Sequence, residues 1–530
     1  MTIRQAGAPV TDAELAAAAD ENILVRTNRE EGWRQTVADK ADKFKCRLFP
    51  KVAFFFDGTS NNMDIELKKE ASKQELTNIA TLYRSAINEK EREAFPRYFS
   101  GVGTPFKVDQ PLDGFGSFSD DTGGNLGLGF GAGGDLRVRA ARMELCRIVT
   151  REYSDSKPIE FITLSIFGFS RGATIARAFL QQLMEKDCTS VKDGLGLKIK
   201  GRDPVRLRIN FMGLFDTVAS VGAPGAHRGY ASKLAIPREV ERCLHLVSAH
   251  EVRKAFPLDS VRVGQTCPGN CDEVVYPGVH CDVGGGYSSD AQGRDNQLSR
   301  IPLREMYKAA LEAGVMLTPF ARLKNDVQMH FTLPPDSPVA ANYNAYMGAL
   351  PNGGEGLENL IQAHRAPFFR YRRLVTEARN RMYLLGSLGQ AVPASVYEGM
   401  SPAAEKANLP DQQWRDNMSA PQVEQAQQLI AAQKQLENRV QYLRNPQAEE
   451  VNQRPGPRAL TDYETKLLAA WDDPAPVPMT IYRFMSQHVH DSVAHFSGWP
   501  CALHDQRGLY SDSLRTDALY NPGKNPTILV

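Results

Sequence analysis

Gly168-Phe169-Ser170-Arg171-Gly172 sets a serine between two glycines in the pattern GxSxG. The apolar, β-branched run IEFITLSIF precedes it and the alanine-rich TIARAFLQQL follows, which predicts a strand, a sharp turn and a helix. A serine hydroxyl becomes a nucleophile when a tight turn presents it, a neighbouring base takes its proton, and backbone N–H groups receive the charge on the attacked oxygen. Gly168 and Gly172 allow that turn to form without a Cβ clash. The plainer alternative is a small serine capping a helix. The strand before it and the helix after it favour the nucleophile.

Triads on such strand–turn–helix units run Ser, then Asp or Glu, then His along the chain. Asp216 fits the acid, because GLFDT ends the apolar run Leu207 to Leu214 and exposes a carboxylate at its carboxyl end. Asp259 and Asp282 compete for that role, and Asp282 is otherwise a supporting residue beside the base. His280 fits the base, since PGVHCDVGGGY puts it at a strand end before glycines that permit close backbone approach. His245 and His250 lie in LHLVSAHEVRKAF, which reads as helical, and are taken as structural. The backbone N–H of Arg171 is the first oxyanion donor. The second is expected from the turn Asp57, Gly58, Thr59 that ends the strand Val52 to Phe56. Asp57 could instead hold Arg171 or bind a cation.

These residues need strands that stop at a common edge. Apolar strand runs alternate with helical stretches from about residue 51 to 310, which predicts the α/β class: a mostly parallel sheet with helices on both faces, of α/β-hydrolase type. An inserted or attached helical region is expected beside it. The expected division is a lead-in over 1–45, a catalytic domain over 46–334, a helical insertion over 335–465 and a return to the catalytic domain over 466–530. The glycine-dense stretch 111–134 lacks GxxxxGK[ST] and reads as a loop over the site. A Gln-rich amphipathic helix within 411–445 reads as a packed cap in preference to a lipid-facing surface.

Bulk properties narrow the classes. A net charge of +1 argues against a protein built to hold nucleic acid, and 42% hydrophobic with 24% charged residues is ordinary for a globular chain. The first residues lack the basic and apolar regions of a cleavable signal, and no run is long and apolar enough to span a bilayer, so synthesis in the cytoplasm without a cleavable signal is expected. The 8 cysteines are scattered. Cys267, Cys271 and Cys281 lack a fourth ligand for zinc, so free thiols are expected, with a Cys267–Cys271 disulfide after export as the alternative. The chemistry calls for no metal or organic cofactor.

FFFDGTSNN, GVGTPF, GFSRGA, GLFDTVAS, EVRKAFP and PGVHCDVGGGY, in this order over roughly 50–310, together resemble the α/β-hydrolase domain family whose characterised bacterial members are the first subfamily of type VI secretion lipase effectors. HVHDSVAHF, from His488 to Phe496, resembles that subfamily's C-terminal part. The resemblance implies phospholipase A activity on membrane phospholipids and delivery to the periplasm of a competing bacterium. It also implies a spike or tube carrier and an immunity protein as partners. On this sequence it places the triad at Ser170, Asp216 and His280. Cys281 departs from a commoner small polar residue, and His250 from a carboxylate. Two rival readings keep the fold: an esterase or thioesterase acting on a soluble substrate, and an inactive interaction module.

Overall fold

The computed structural model describes residues 2–22, 47–108, 112, 114–115, 120–123, 133–152, 158–192, 194–221, 226–334, 337–387, 419–445, 460–494, 507–511 and 514–515. The strands are β1 (Ile3–Gln5), β2 (Lys51–Phe56), β3 (Ala94–Phe99), β4 (Phe161–Phe169), β5 (Cys188–Val191), β6 (Gly194–Ile199), β7 (Arg202–Phe215), β8 (Cys243–Ser248), β9 (Leu258–Ser260), β10 (Cys271–Tyr276), β11 (Leu509–Ser511) and β12 (Leu514–Arg515). The main sheet runs β1-β10-β8-β7-β4-β2-β3 and is parallel along this path. β5 and β6 extend it as an antiparallel pair beside β7.

Alternation explains why these runs are strands buried on both sides. Val52, Phe54 and Phe56 of β2 enter one core, together with Leu164 and Ile166 of β4. Ala53 and Phe55, with Phe167 and Phe169, enter the other. A parallel sheet needs cover on both faces, and the helices supply it. Gly134–Glu152 and Arg171–Gln182 pack on the first face, while Arg300–Glu312 lies on the second. The helices Val339–Ala349, Leu357–Ser387, Ala420–Arg444, Asp462–Asp472 and Met479–His488 add Tyr346, Phe369, Leu436, Leu467 and Phe484 to this second core. The helical stretch therefore shares a core with the sheet.

Several expectations change in detail. Within the stretch expected as a lead-in, β1 forms the edge of the main sheet, pairing with β10. LHLVS is strand β8, so His245 stands on a central strand and His250 in the loop after it. Leu and Val at alternating positions, buried on both sides, override the helical reading. His280 opens a short helix, His280–Gly284, four residues beyond β10. Residues 109–111, 113, 116–119 and 124–132, most of the glycine-dense stretch, lie outside the described residues, as does 411–418. No helix among the described residues is long and apolar enough to cross a membrane.

Candidate active site

The GxSxG turn is built by close packing. Ser170 follows β4 and has φ 56° and ψ −128°, a conformation that a residue with a side chain adopts only under constraint. Its N–H donates to the Phe215 carbonyl at the end of β7, and its carbonyl accepts from Ala173, Thr174 and Val218. A Cβ at Gly172 would lie 2.3 Å from the carbonyl oxygens of both Phe56 and Asp57, and one at Gly168 2.5 Å from Ala173 Cα. Both glycines are therefore required for the helix to approach the strand ends.

Asp216 directly follows β7, next to the Ser170 turn, and also has positive φ, 39°. Its Oδ2 accepts from His280 Nδ1 at 2.6 Å. Oδ1 accepts the Ser248 N–H at 2.9 Å, and Oδ2 the Ser248 hydroxyl at 2.9 Å. Arg507 also donates to Oδ2, at 2.6 Å. Burial alone would raise this carboxyl, but the charges and hydrogen bonds of Arg507 and His280 outweigh it and hold Asp216 well below the usual carboxylate range. Burial has the opposite effect on His280, keeping its imidazole below its ordinary value although the Asp216 bond pulls upward. A neutral imidazole whose Nδ1 proton is engaged has Nε2 available to accept a proton.

The His280 ring packs 4.6 Å from the Phe169 ring, next to Ser170, and 5.1 Å from Phe256. Ser170 and His280 are 4% and 3% exposed, so the site is almost closed. Among the described residues no hydrogen bond joins Ser170 Oγ to His280 Nε2; such contacts are commonly long until substrate binds.

The competing acids have other partners. Asp259 Oδ1 meets His227 Nε2 at 2.5 Å, and Asp282 Oδ1 meets His490 Nδ1 at 2.6 Å. His245 is satisfied by Glu273 on one nitrogen and by Thr217 on the other. His250 accepts from the Gly278 N–H and meets the Tyr346 hydroxyl.

The oxyanion expectation is corrected at one position. The Gly58 N–H is committed to the carboxylate of Asp57 at 2.7 Å, which leaves Thr59 as the turn's candidate donor beside the Arg171 N–H. Thr59 is itself fixed, its hydroxyl accepting from Arg171 Nε at 2.5 Å. Asp57 accepts from Thr77 and Tyr98 as well as Gly58, and burial raises its carboxyl to about 6 against those bonds. It organises the turn around it.

Residues 51–194 and 196–309 match the family model described as the catalytic domain of Tle1-like phospholipase effectors of type VI secretion. This stretch of the chain is thus similar to the catalytic domain of the Tle1-like effectors. That similarity supports a hydrolase of the lipase or esterase class. An uncharacterized protein from Pseudomonas aeruginosa, seen in a crystal structure, has a similar fold over 96% of this chain and 85% of its own, with 20% identity and a TM-score of 0.66. The Tle1 effector bound to the VgrG spike of the type 6 secretion system is 18% identical over 60% of this chain and 84% of its own, with a TM-score of 0.38. A mutant of the esterase rPPE is 12% identical over 56% and 77%, at a TM-score of 0.23. No curated protein matches the chain.

Beyond the Tle1-like match, groups that sequence reasoning did not single out reach the site. Glu251, in the EVRKAFP motif, receives Arg253 at 2.8 Å, the His280 N–H at 3.4 Å and the Ser492 hydroxyl at 3.1 Å. Burial would raise its carboxyl, but Arg253 brings it down to about 2. The resemblance of EVRKAFP and HVHDSVAHF was the signal for Glu251 and Ser492. Arg507 lies in no motif and gave none. Among the described residues no group of three or more His, Cys, Asp or Glu side chains could hold a metal ion, and Cys267 and Cys271 are free thiols.

Proposed function

We propose that this chain is a phospholipase A that hydrolyses carboxylic ester bonds of membrane phospholipids by acyl transfer through Ser170, His280 and Asp216. The observation that carries the reading is the buried Asp216–His280 pair, at 2.6 Å, beside the strained turn that presents Ser170. In this scheme His280 Nε2 takes the Ser170 proton as Oγ attacks the ester carbonyl, and Asp216 orients the ring and faces the imidazolium that forms. The N–H groups of Arg171 and Thr59 receive the oxyanion. The imidazolium returns its proton to the leaving lysolipid alcohol. Water, activated by the same ring, then releases the fatty acid and restores the serine.

The Tle1-like match supports delivery by type VI secretion. A type VI spike protein is the proposed carrier, the periplasm of a competing bacterium the proposed place of action, and an immunity protein the proposed safeguard among siblings. Incubating defined phospholipid vesicles with wild type and Ser170→Ala, then measuring products by mass spectrometry, tests the chemistry. Loss of fatty acid and lysolipid release in the variant is expected; equal release would refute the assignment. Parallel assays on short-chain soluble esters separate a lipase from a general esterase, since only the lipase prefers aggregated lipid.

A further inference from the structure

Arg507 is fully buried, and each of its three guanidinium nitrogens donates to an acceptor at or beyond the ends of β7 and β8. Nε donates to the Phe256 carbonyl at 2.6 Å, and one terminal nitrogen to the Ser248 carbonyl and hydroxyl at 3.1 and 3.0 Å. The other terminal nitrogen binds Asp216 Oδ2 at 2.6 Å, the oxygen that also binds His280 Nδ1. The residue itself is anchored by the strand that follows, because β11 pairs in parallel with β9 and the Gly508 carbonyl receives the Leu258 N–H.

We propose that Arg507 is a positioning residue for the acyl-transfer site, fixing the direction and balancing the charge of the carboxylate that orients His280. The inference rests on the triad reading. A purely tethering role would need only the bonds to the Phe256 and Ser248 carbonyls; the bond to Asp216 puts a planar, permanently charged fork on the acid of the triad. The charged groups facing the imidazole are Asp216 after β7, Glu251 and Arg253 after β8, and, through Asp216, Arg507. With a neutral His280 these carboxylates and guanidiniums balance. Without Arg507 the set carries a net negative charge, so His280 binds a proton more readily and more of it is unable to act as a base.

The test uses the full-length protein with Arg507→Gln and Arg507→Lys, each followed by thermal melting, kcat and KM across pH, and NMR titration of His280 in a Ser170→Ala background with nitrogen-labelled histidine. Arg507→Gln is expected to raise the His280 pKa by about one unit and move the acid limb of the activity profile with it. Its plateau kcat should fall about tenfold or more, with KM within about twofold. Arg507→Lys keeps the charge but not the fork, so its acid limb should stay in place while kcat falls. A folded Arg507→Gln whose His280 titration overlays that of the reference overturns the proposal; should that variant not fold, an unchanged kcat in Arg507→Lys overturns it. Failure of the triad reading shows separately, as phospholipid hydrolysis by Ser170→Ala, and leaves the NMR comparison intact.

Discussion

Asp282 accepts both the ring Nδ1 of His490, at 2.6 Å, and its backbone N–H, at 3.1 Å. The same carboxylate caps the short helix that begins with His280, taking the Val279 N–H at 3.0 Å. A residue 208 positions downstream is thereby fastened to the element carrying the candidate base.

His490→Ala should loosen that fastening. It leaves a buried carboxylate oxygen without its partner and removes a ring stacked 4.0 Å from Tyr287. A loss of ~1–3 kcal/mol is expected from the orphaned acceptor alone. The midpoint of denaturant unfolding measures it, and an unchanged midpoint would count against the contact.

Hydrolysis should persist into mildly acid solution. Burial holds His280 below its ordinary 6.5, so the ring stays neutral, and able to accept a proton, until the pH drops through that lowered value. The acid limb of kcat/KM is therefore expected below pH ~6.5. An inflection above that point would contradict the environment described for the ring.

Gly172→Ala should damage the turn with a single methyl group. The added Cβ would meet the Phe56 and Asp57 carbonyl oxygens at 2.3 Å, and backbone atoms of a central strand cannot rotate away. Overpacking of this kind costs ~1–3 kcal/mol, and the displaced helix should take Ser170 out of place. Thermal melting and esterase assays read the two effects; a variant with native values in both would show that the turn tolerates more than its geometry allows.

Asp57→Asn tests the turn next to it. The folded carboxyl, raised to about 6, sits above its ordinary 3.8, so the stability it contributes is present in full below 3.8 and is lost as pH rises through 6. The amide has no such dependence. Relative to wild type, the variant should gain melting temperature as pH rises from 3.8 to about 6, and a constant difference across that window would disprove the linkage.

Much of the site could be read in the chain because its pieces are local. The Ser170 turn is written in consecutive residues, and Asp216 and His280 each follow a short apolar run. The strand β8 was misread because LHLVSAH is too short for periodicity to decide, and burial on both sides settled it. The Gly58 expectation failed at the level of hydrogen bonding: a turn's sequence does not tell which acceptor its N–H will find. Arg507 was invisible for another reason. Its role comes from tertiary approach across 291 positions, and an isolated arginine among polar neighbours carries no pattern.

That separation also has a consequence for biosynthesis. As the polypeptide leaves the ribosome, Ser170, Asp216 and His280 emerge well ahead of Arg507, which completes the hydrogen bonding of Asp216 only when β11 docks beside β9. A polypeptide that stops short of Arg507 therefore lacks the guanidinium that completes the hydrogen bonding of Asp216.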